Sequence, residues 1–228
     1  MDYVIPSWPL PAVPVVGTAA CFPVRRIYCV GRNYADHVRE MGHDPEREPP
    51  FFFSKPADAI VPGGGDVAYP PQTANLQHEV ELVVALAHGG RDIPVSAAAG
   101  AIFGYAVGLD LTRRDVQQRA KDKGHPWDMG KGFEQSAPLS AIVPVAAIGH
   151  PMAGAITLRV NGEARQSGDL RQMTWSVPEV IAKLSEYVTL APGDLIFTGT
   201  PAGVSTVVRG DVLVGQVDGV GALTIRLV

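Results

Sequence analysis

The sequence has few cysteines, no long apolar run and no cluster of basic residues, which are features that would point directly to a class of protein. Only two of its 228 residues are cysteines, Cys21 and Cys29. We expect both to be reduced thiols and the protein to be cytoplasmic, although the two cysteines could pair in principle. No apolar run reaches about 18 residues, so no membrane span is predicted. The net charge is −4 without a cluster of lysines and arginines, which argues against nucleic acid or an anionic membrane as a partner.

Glycine and proline, in contrast, are abundant, with 25 and 20 residues respectively. They leave little room for long helices, and they bound short segments rich in Val and Ile, which is typical of strands and turns. Asn161-Gly162 predicts a hairpin with a type I′ turn, and Asp218-Gly219 predicts a second hairpin. The predicted strands are Arg26–Val30, Val80–Leu86, Ala155–Val160, Asp194–Thr198, Val212–Val217 and Ala222–Leu227.

Helical patterns are fewer and shorter. Helices are predicted at Tyr34–Met41, Ser96–Ala101 and Val177–Glu186. A polar stretch with helical spacing, Thr112–Lys123, is expected to lie over the surface or over a site. Together these elements predict an α+β fold, mostly β, with the strands curled into a sandwich or roll. We expect residues 1–24 to be an irregular, Pro-rich segment and residues 25–228 to form one domain.

Two acids at the start of an apolar strand are the first candidate site. Side chains alternate between the faces of a strand, so Glu79 and Glu81 should point one way while Val80 and Leu82 point the other. Adjacent carboxylates on a buried face are costly unless a cation lies between them, and oxygen ligands suit Mg²⁺, Mn²⁺ or Ca²⁺. A solvated edge of a sheet has the same spacing, and the spacing alone favours neither interpretation.

A third acid, Asp110, ends the apolar run that begins at Phe103. An acid at the end of a buried strand suits a metal ligand, although Asp110 taken alone is more simply a cap for the helix that follows. Together with Glu79 and Glu81 it would form one face of an octahedral site and leave positions for water and substrate.

Four further residues have side chains suited to catalysis or binding. His37 and Glu40 are three positions apart on a predicted helix and share a face, so the carboxylate could orient the imidazole as a general base; a plain surface pair has the same spacing. Lys55 follows three phenylalanines and Lys131 lies between glycines, and either could meet an anionic group or lie at the surface.

Seven segments resemble, in the same order, those of the fumarylacetoacetate hydrolase family. The resemblance covers nearly the whole chain from about Arg26 and is greatest for the short members that hydrolyse acylpyruvates, with fumarylpyruvate of the gentisate pathway as the expected substrate. It implies a mixed β-sandwich or roll over residues 25–228, a homodimer, and one Mg²⁺ or Mn²⁺ per subunit. The segments are CVGRNYADHVREMG, FFFSKPADAI, HEVELVV, GYAVGLDLTRRDVQ, GKGFEQSAP, VNGEARQSGD and GDLIFTGTPAGV.

The resemblance also implies roles for the residues at matching positions. The metal ligands would be Glu79, Glu81 and Asp110. The catalytic residues would be His37, Glu40 and Lys131, with the first two forming a water-activating pair on a short lid helix. The substrate-binding residues would be Arg32, Tyr34, Lys55, Arg114, Gln117 and Thr200. One departure is visible, because Glu134 follows Phe133 where the family has an aspartate.

The expected reaction is hydrolysis of a carbon–carbon bond in a 2,4-dioxo acid. His37 would deprotonate the water that attacks the C4 carbonyl, Lys131 and Gln117 would stabilise the oxyanion, and the metal would hold the pyruvate enolate. An oxaloacetate decarboxylase or a hydroxymuconate-type isomerase or decarboxylase is the alternative on the same scaffold. A non-catalytic protein that binds a metal or an oxoacid is the alternative of another class.

Overall fold

The computed structural model describes residues 2–35 and 48–228, and strands predominate among them. The strands are β1 (Ala12–Pro14), β2 (Cys21–Pro23), β3 (Arg26–Gly31), β4 (Phe51–Lys55), β5 (Ile60–Pro62), β6 (Gly65–Val67), β7 (Leu76–Gln77), β8 (Val80–Leu86), β9 (Ile102–Leu109), β10 (Thr112–Arg113), β11 (Ala137–Leu139), β12 (Val143–Pro144), β13 (Ala155–Val160), β14 (Glu163–Asp169), β15 (Asp194–Phe197), β16 (Thr206–Val207), β17 (Val212–Val217) and β18 (Gly221–Leu227).

Helices are short and connect the strands. The α-helices are α1 (Val95–Ala98), α2 (Arg114–Asp122), α3 (Asp128–Lys131), α4 (Val145–Ile148) and α5 (Val177–Tyr187), and single 3₁₀ turns occur at Ala57–Ala59, Ala99–Ala101 and Leu170–Gln172. Within the described ranges, none of the helices has both the length and the apolar character needed to cross a membrane.

Two sheets make up most of the fold. The larger has eight strands in the order β4-β3-β15-β8-β9-β11-β5, with β12 paired to β9, and it is mixed because β15 runs parallel to β3 and antiparallel to β8. The smaller has five strands in the order β14-β13-β17-β18-β6. Short pairings, β10-β7-β16 and β1-β2, complete the described sheets. The predicted fold class, α+β and mostly β, is confirmed.

Strand β8 lies near the middle of the larger sheet and is covered on both faces. Its Val80 and Leu82 belong to the main apolar core, which also takes side chains from β13, β17 and β18. The alternate residues Val83 and Ala85 belong to a second apolar cluster on the opposite face. The predicted alternation is therefore confirmed, and Glu81 shares its face with the second cluster.

The N-terminal segment helps to build that second cluster. Residues 1–24 were expected to be irregular, but β1 and β2 pair there as a short antiparallel hairpin. Val13 and Phe22 are 0% and 7% exposed because they pack against the larger sheet. The expectation of irregular structure is therefore corrected for these strands, while the division of the chain at residue 25 stays a prediction.

Most of the predicted elements occur in the structure within a residue or two. The turn at Asn161-Gly162 has positive φ at both residues, 52° and 85°, as a type I′ turn requires. The C-terminal hairpin instead has a three-residue loop, since Val217 pairs with Gly221. The stretch Thr112–Lys123 becomes helical only at Arg114, because Thr112 and Arg113 pair with β7.

Two smaller expectations have different outcomes. Both cysteines are free thiols, Cys21 exposed and Cys29 buried, as predicted. The predicted helix Tyr34–Met41 lies outside the described residues from residue 36 onward.

Candidate metal and substrate site

Three acids from two neighbouring strands meet at one point. Glu79 directly precedes β8 and Glu81 lies within it, while Asp110 directly follows the antiparallel neighbour β9. The three residues offer carboxylate oxygens that all lie within 4.8 Å of one another, and they are 6%, 2% and 0% exposed respectively. The structure thus brings together the three predicted ligands, and their coordination of a metal is taken up as a proposal.

Two buried ammonium groups partly balance these carboxylates. Lys131 Nζ donates to Glu79 Oε2 at 2.8 Å, to Asp110 Oδ2 at 2.7 Å and to Thr112 Oγ1 at 2.7 Å. Lys55 Nζ lies 2.8 Å from the other oxygen of Asp110, Oδ1. Burial disfavours the charged form of Lys131, but the charges of Asp110 and Glu79 outweigh it and raise the pKa of the lysine.

Glu81 has a different environment. Its Oε2 accepts a hydrogen bond of 2.6 Å from the backbone N–H of Gly199, a residue with φ of 98° whose Cα lies against Asn33. Within the described part of the chain, Glu81 forms no ion pair. Burial, and then the charges of Asp110 and Glu79, raise the pKa of Glu81 well above its usual range. One more positive charge would offset this cost, and three oxygen ligands suit a divalent cation.

The raised pKa of Glu81 predicts that metal affinity depends on pH. Without metal, Glu81 holds its proton to a higher pH than an ordinary glutamate, so a cation that binds there must displace that proton. The apparent affinity for Mn²⁺ should therefore fall as the pH falls, by up to about tenfold per pH unit for one proton released. Calorimetric titrations in two buffers of different ionisation enthalpy would count the protons. An affinity independent of pH would contradict the assignment.

Arg114 forms a second charged group beside the acids. Its guanidinium pairs with Glu79 and donates through Nε to Gln77 Oε1 at 2.7 Å and through Nη1 to Gln117 Oε1 at 2.6 Å. Arg114 and Gln117 are three residues apart on α2, so both project from one face of the helix. Beside the acids, α2 therefore presents the guanidinium of Arg114 and the amide of Gln117, and β7 contributes the amide of Gln77.

Beside these groups lies an open pocket with a volume of about 400 Å³. Seven predicted site residues contribute to its wall, namely Arg32, Glu79, Glu81, Arg114, Gln117, Lys131 and Thr200. Four other wall residues, Phe51, Phe53, Lys121 and Trp127, had not been singled out as site residues by the sequence. Lys121 could have been predicted from helical spacing, because it lies four residues after Gln117 on the helical face that Arg114 and Gln117 share.

Two residues that were expected to bind substrate do not line this pocket. Lys55 is 3% exposed and contacts Asp110 and the carbonyl oxygen of Leu111, so it balances charge beneath the acids. Tyr34 is 1% exposed, and its hydroxyl has no hydrogen-bond partner among the described residues. Burial raises the pKa of Tyr34 above its usual value. The structure thus places the two side chains behind the pocket wall.

A buried glutamine behind the pocket was not predicted at all. Gln166 accepts from the backbone N–H of Val80 at 3.1 Å and donates to Thr200 Oγ1 at 2.8 Å. Thr200 in turn donates to the carbonyl oxygen of Val80 at 2.7 Å, and His78 Nδ1 lies 2.9 Å from Gln166 Oε1. Gln166 therefore ties β14 to the start of β8 and to the turn after β15. An isolated glutamine in a polar strand gives no sequence cue for this contact.

His37 and Glu40 lie outside the described residues. Their roles as general base and orienting carboxylate stay predictions from the sequence.

Comparison with known proteins assigns the chain to a family. Residues 26–228 match the model of the fumarylacetoacetate hydrolase C-terminal domain, so the chain belongs to the fumarylacetoacetate hydrolase family. The predicted resemblance is confirmed.

Individual relatives within the family have different activities. The chain is 46% identical to a fumarylpyruvate hydrolase from Ralstonia sp over 81% of its own length and 95% of the relative. It is 45% identical to the mitochondrial oxaloacetate tautomerase FAHD1 of Rattus norvegicus, over 89% of its own length and 91% of the relative.

The fold is also that of a solved relative. A crystal structure of fumarylpyruvate hydrolase from Pseudomonas aeruginosa in complex with Mn²⁺ and pyruvate superposes with a TM-score of 0.98 at 51% identity and covers 100% of this chain and 99% of that one. The expectation of an enzyme, a hydrolase of this family, is confirmed. The family fold alone does not define the substrate.

Proposed function

We propose that the protein is a divalent-cation-dependent hydrolase that cleaves fumarylpyruvate to fumarate and pyruvate. The observation that carries the proposal is the buried cluster of Glu79, Glu81 and Asp110, in which the two glutamates line a pocket whose wall also carries Arg114 and Lys131. Acids that could hold a metal and cations that could hold a dianionic substrate thus share one pocket. Relatives named as fumarylpyruvate hydrolases support this substrate.

The three acids fit a single Mg²⁺ or Mn²⁺. Lys55, Lys131 and Arg114 pair with Asp110 and Glu79, and Glu81 has no ion pair within the described residues, so its carboxylate and the set of oxygen donors suit a cation beside Glu81. When bound, such a cation stabilises negative charge that develops on the oxygens of a dioxo acid. The Mn²⁺ in the Pseudomonas aeruginosa relative agrees with this assignment.

The chain's own residues supply the other roles. Lys131 and Gln117 line the pocket, and the positive charge of Lys131 and the amide N–H of Gln117 suit them to stabilise the oxyanion that forms when water attacks the C4 carbonyl. Arg114 orients Gln117 through the 2.6 Å hydrogen bond and holds Glu79 in place. His37, oriented by Glu40, would take the proton from the attacking water, as the sequence predicts.

The test is an absorbance assay with purified protein. Fumarylpyruvate should lose its near-ultraviolet diketone absorbance in the presence of Mg²⁺ or Mn²⁺, with fumarate and pyruvate formed in equal amounts. EDTA should stop the reaction, and added Mn²⁺ should restore it, because the metal would stabilise the charge of the transition state. Full activity in metal-stripped protein would refute the metal-dependent mechanism.

Oxaloacetate tautomerisation is the second candidate, favoured by the 45% identity with the rat relative. It differs from hydrolysis because it moves a proton and breaks no carbon–carbon bond. If fumarylpyruvate is stable while the protein accelerates the interconversion of the enol and keto forms of oxaloacetate, the second candidate replaces the first. The gentisate-pathway context and the homodimer are further parts of the proposal and come from the resemblance to the family, whereas the cytoplasmic location comes from the two reduced cysteines.

A further inference from the structure

Lys121 lies on the helical face that lines the pocket, but further from the acids than its neighbours. Arg114, Gln117 and Lys121 occupy positions i, i+3 and i+7 of α2, and all three line the pocket. Lys121 is about 10 Å from Arg114 along the helix axis. Arg114 is held by Glu79 and two glutamines, whereas the ammonium group of Lys121 forms no hydrogen bond or ion pair with the residues that the structure describes.

An aromatic wall holds the ammonium group of Lys121 at the pocket. Lys121 Nζ lies 5.0 Å from the centre of the Trp127 ring, within the range of a cation–π contact. Trp127 packs edge-on against Phe51 at 5.4 Å and is tilted against Phe53 at 6.0 Å, and all three rings line the pocket. This part of the pocket therefore offers flat apolar surface that ends at a cation.

The electrostatic environment of Lys121 favours an anion. Burial, followed by the positive charges of Arg114, Arg32 and Lys131, lowers the pKa of Lys121, and the charge of Glu79 opposes these effects. Arg114 and Lys131 already pair with Glu79, whereas the ammonium group of Lys121 forms no ion pair with the described residues. A carboxylate bound beside Lys121 would offset the repulsion from the neighbouring positive charges.

We propose that Lys121 and Trp127 form a subsite for the distal carboxylate of the substrate and that Lys121 determines the preference for dicarboxylic over monocarboxylic 2,4-dioxo acids. The inference rests on the proposed function, in which the acids take the dioxo end of the substrate. The unsaturated carbon chain would then lie along Trp127 and Phe51, and its terminal carboxylate would reach Lys121.

The experiment compares two substrates that differ at the distal end. Fumarylpyruvate carries a distal carboxylate, and acetylpyruvate ends in a methyl group. In Lys121→Met, kcat/KM for fumarylpyruvate should fall by about 10- to 100-fold, mainly through KM, because a charged hydrogen bond is lost. The loss for acetylpyruvate should be far smaller. Lys121→Arg should recover part of the fumarylpyruvate activity, and Lys123→Met is a matched control because Lys123 is exposed just beyond α2.

Other results would refute either the distal subsite or the proposed function. Equal losses for both substrates in Lys121→Met, or no loss for either, would refute the distal subsite. Failure of the unaltered protein on both substrates would refute the proposed function, and a binding measurement would still test the subsite. In that measurement the Mn²⁺-loaded protein should bind fumarate more tightly than crotonate, its monocarboxylic counterpart, and Lys121→Met should remove the difference.

Discussion

Replacing Glu81 by glutamine should lower the affinity for Mn²⁺ and the rate of fumarylpyruvate cleavage by more than about 100-fold. The amide has nearly the shape of the carboxylate, and its oxygen can still accept the N–H of Gly199. What is lost is the negative charge that would hold the cation. Metal content after dialysis and turnover at saturating Mn²⁺ measure the two effects.

Thermal unfolding separates this loss from misfolding. Glu81 is buried among carboxylates, so removing its charge should leave the metal-free protein at least as stable as the unaltered chain. Mn²⁺ should raise the melting temperature of the unaltered protein and not that of Glu81→Gln, since a ligand stabilises only the state that binds it. Glu134→Gln is the matched control because Glu134 is exposed. Normal metal retention in Glu81→Gln would remove Glu81 from the ligand set.

Replacing His37 by alanine should lower kcat by about 10²–10⁴-fold, the usual effect of losing a general base. The three acids lie on β8 and beside β9, remote from residue 37 in sequence, so metal retention should stay unchanged. This combination distinguishes a proton-transfer role from a role in metal binding. Turnover and metal content should be measured on the same preparation.

His88→Ala is the control for that variant, because His88 is exposed, does not line the pocket and follows the end of β8 that is opposite to Glu79. The role of Glu40 follows from the same comparison. If Glu40 orients the imidazole, Glu40→Gln should lower kcat less than His37→Ala and should shift the pH profile of kcat. Unimpaired turnover in His37→Ala would exclude it as the base.

The parts of the site that depend on local backbone geometry, such as the alternation of side chains along a strand, were predictable from the sequence. Glu79 and Glu81 are two positions apart on a strand that continues as Leu82–Leu86, so their shared face followed from alternation alone. Asp110 could be placed beside them because the run before it is long enough to pair with β8. The type I′ turn at Asn161-Gly162 was equally local, since both residues tolerate positive φ.

The parts that depend on packing between distant segments could not be predicted. The predicted role of Lys131 was to meet substrate, whereas in the structure its ammonium also bonds Glu79, Asp110 and Thr112. A lysine between two glycines carries no sign of those partners. Gln166 and Val80 are 86 positions apart, and their hydrogen bond exists only because β13 and β14 bring a second sheet against the first. No local pattern encodes such a contact.

The residues of the pocket differ in how well they should tolerate substitution, because some lie in the buried strand β8 and others lie at the surface. Glu81 lies in a strand packed on both faces, where a side chain of different size would disturb the packing of the core. Lys121 and Trp127 lie at the end of a short helix and in the loop after it, where side chains can be exchanged at little cost to folding. Substitutions at the rim of the pocket could therefore change the acyl group that is accepted while the acidic centre stays intact.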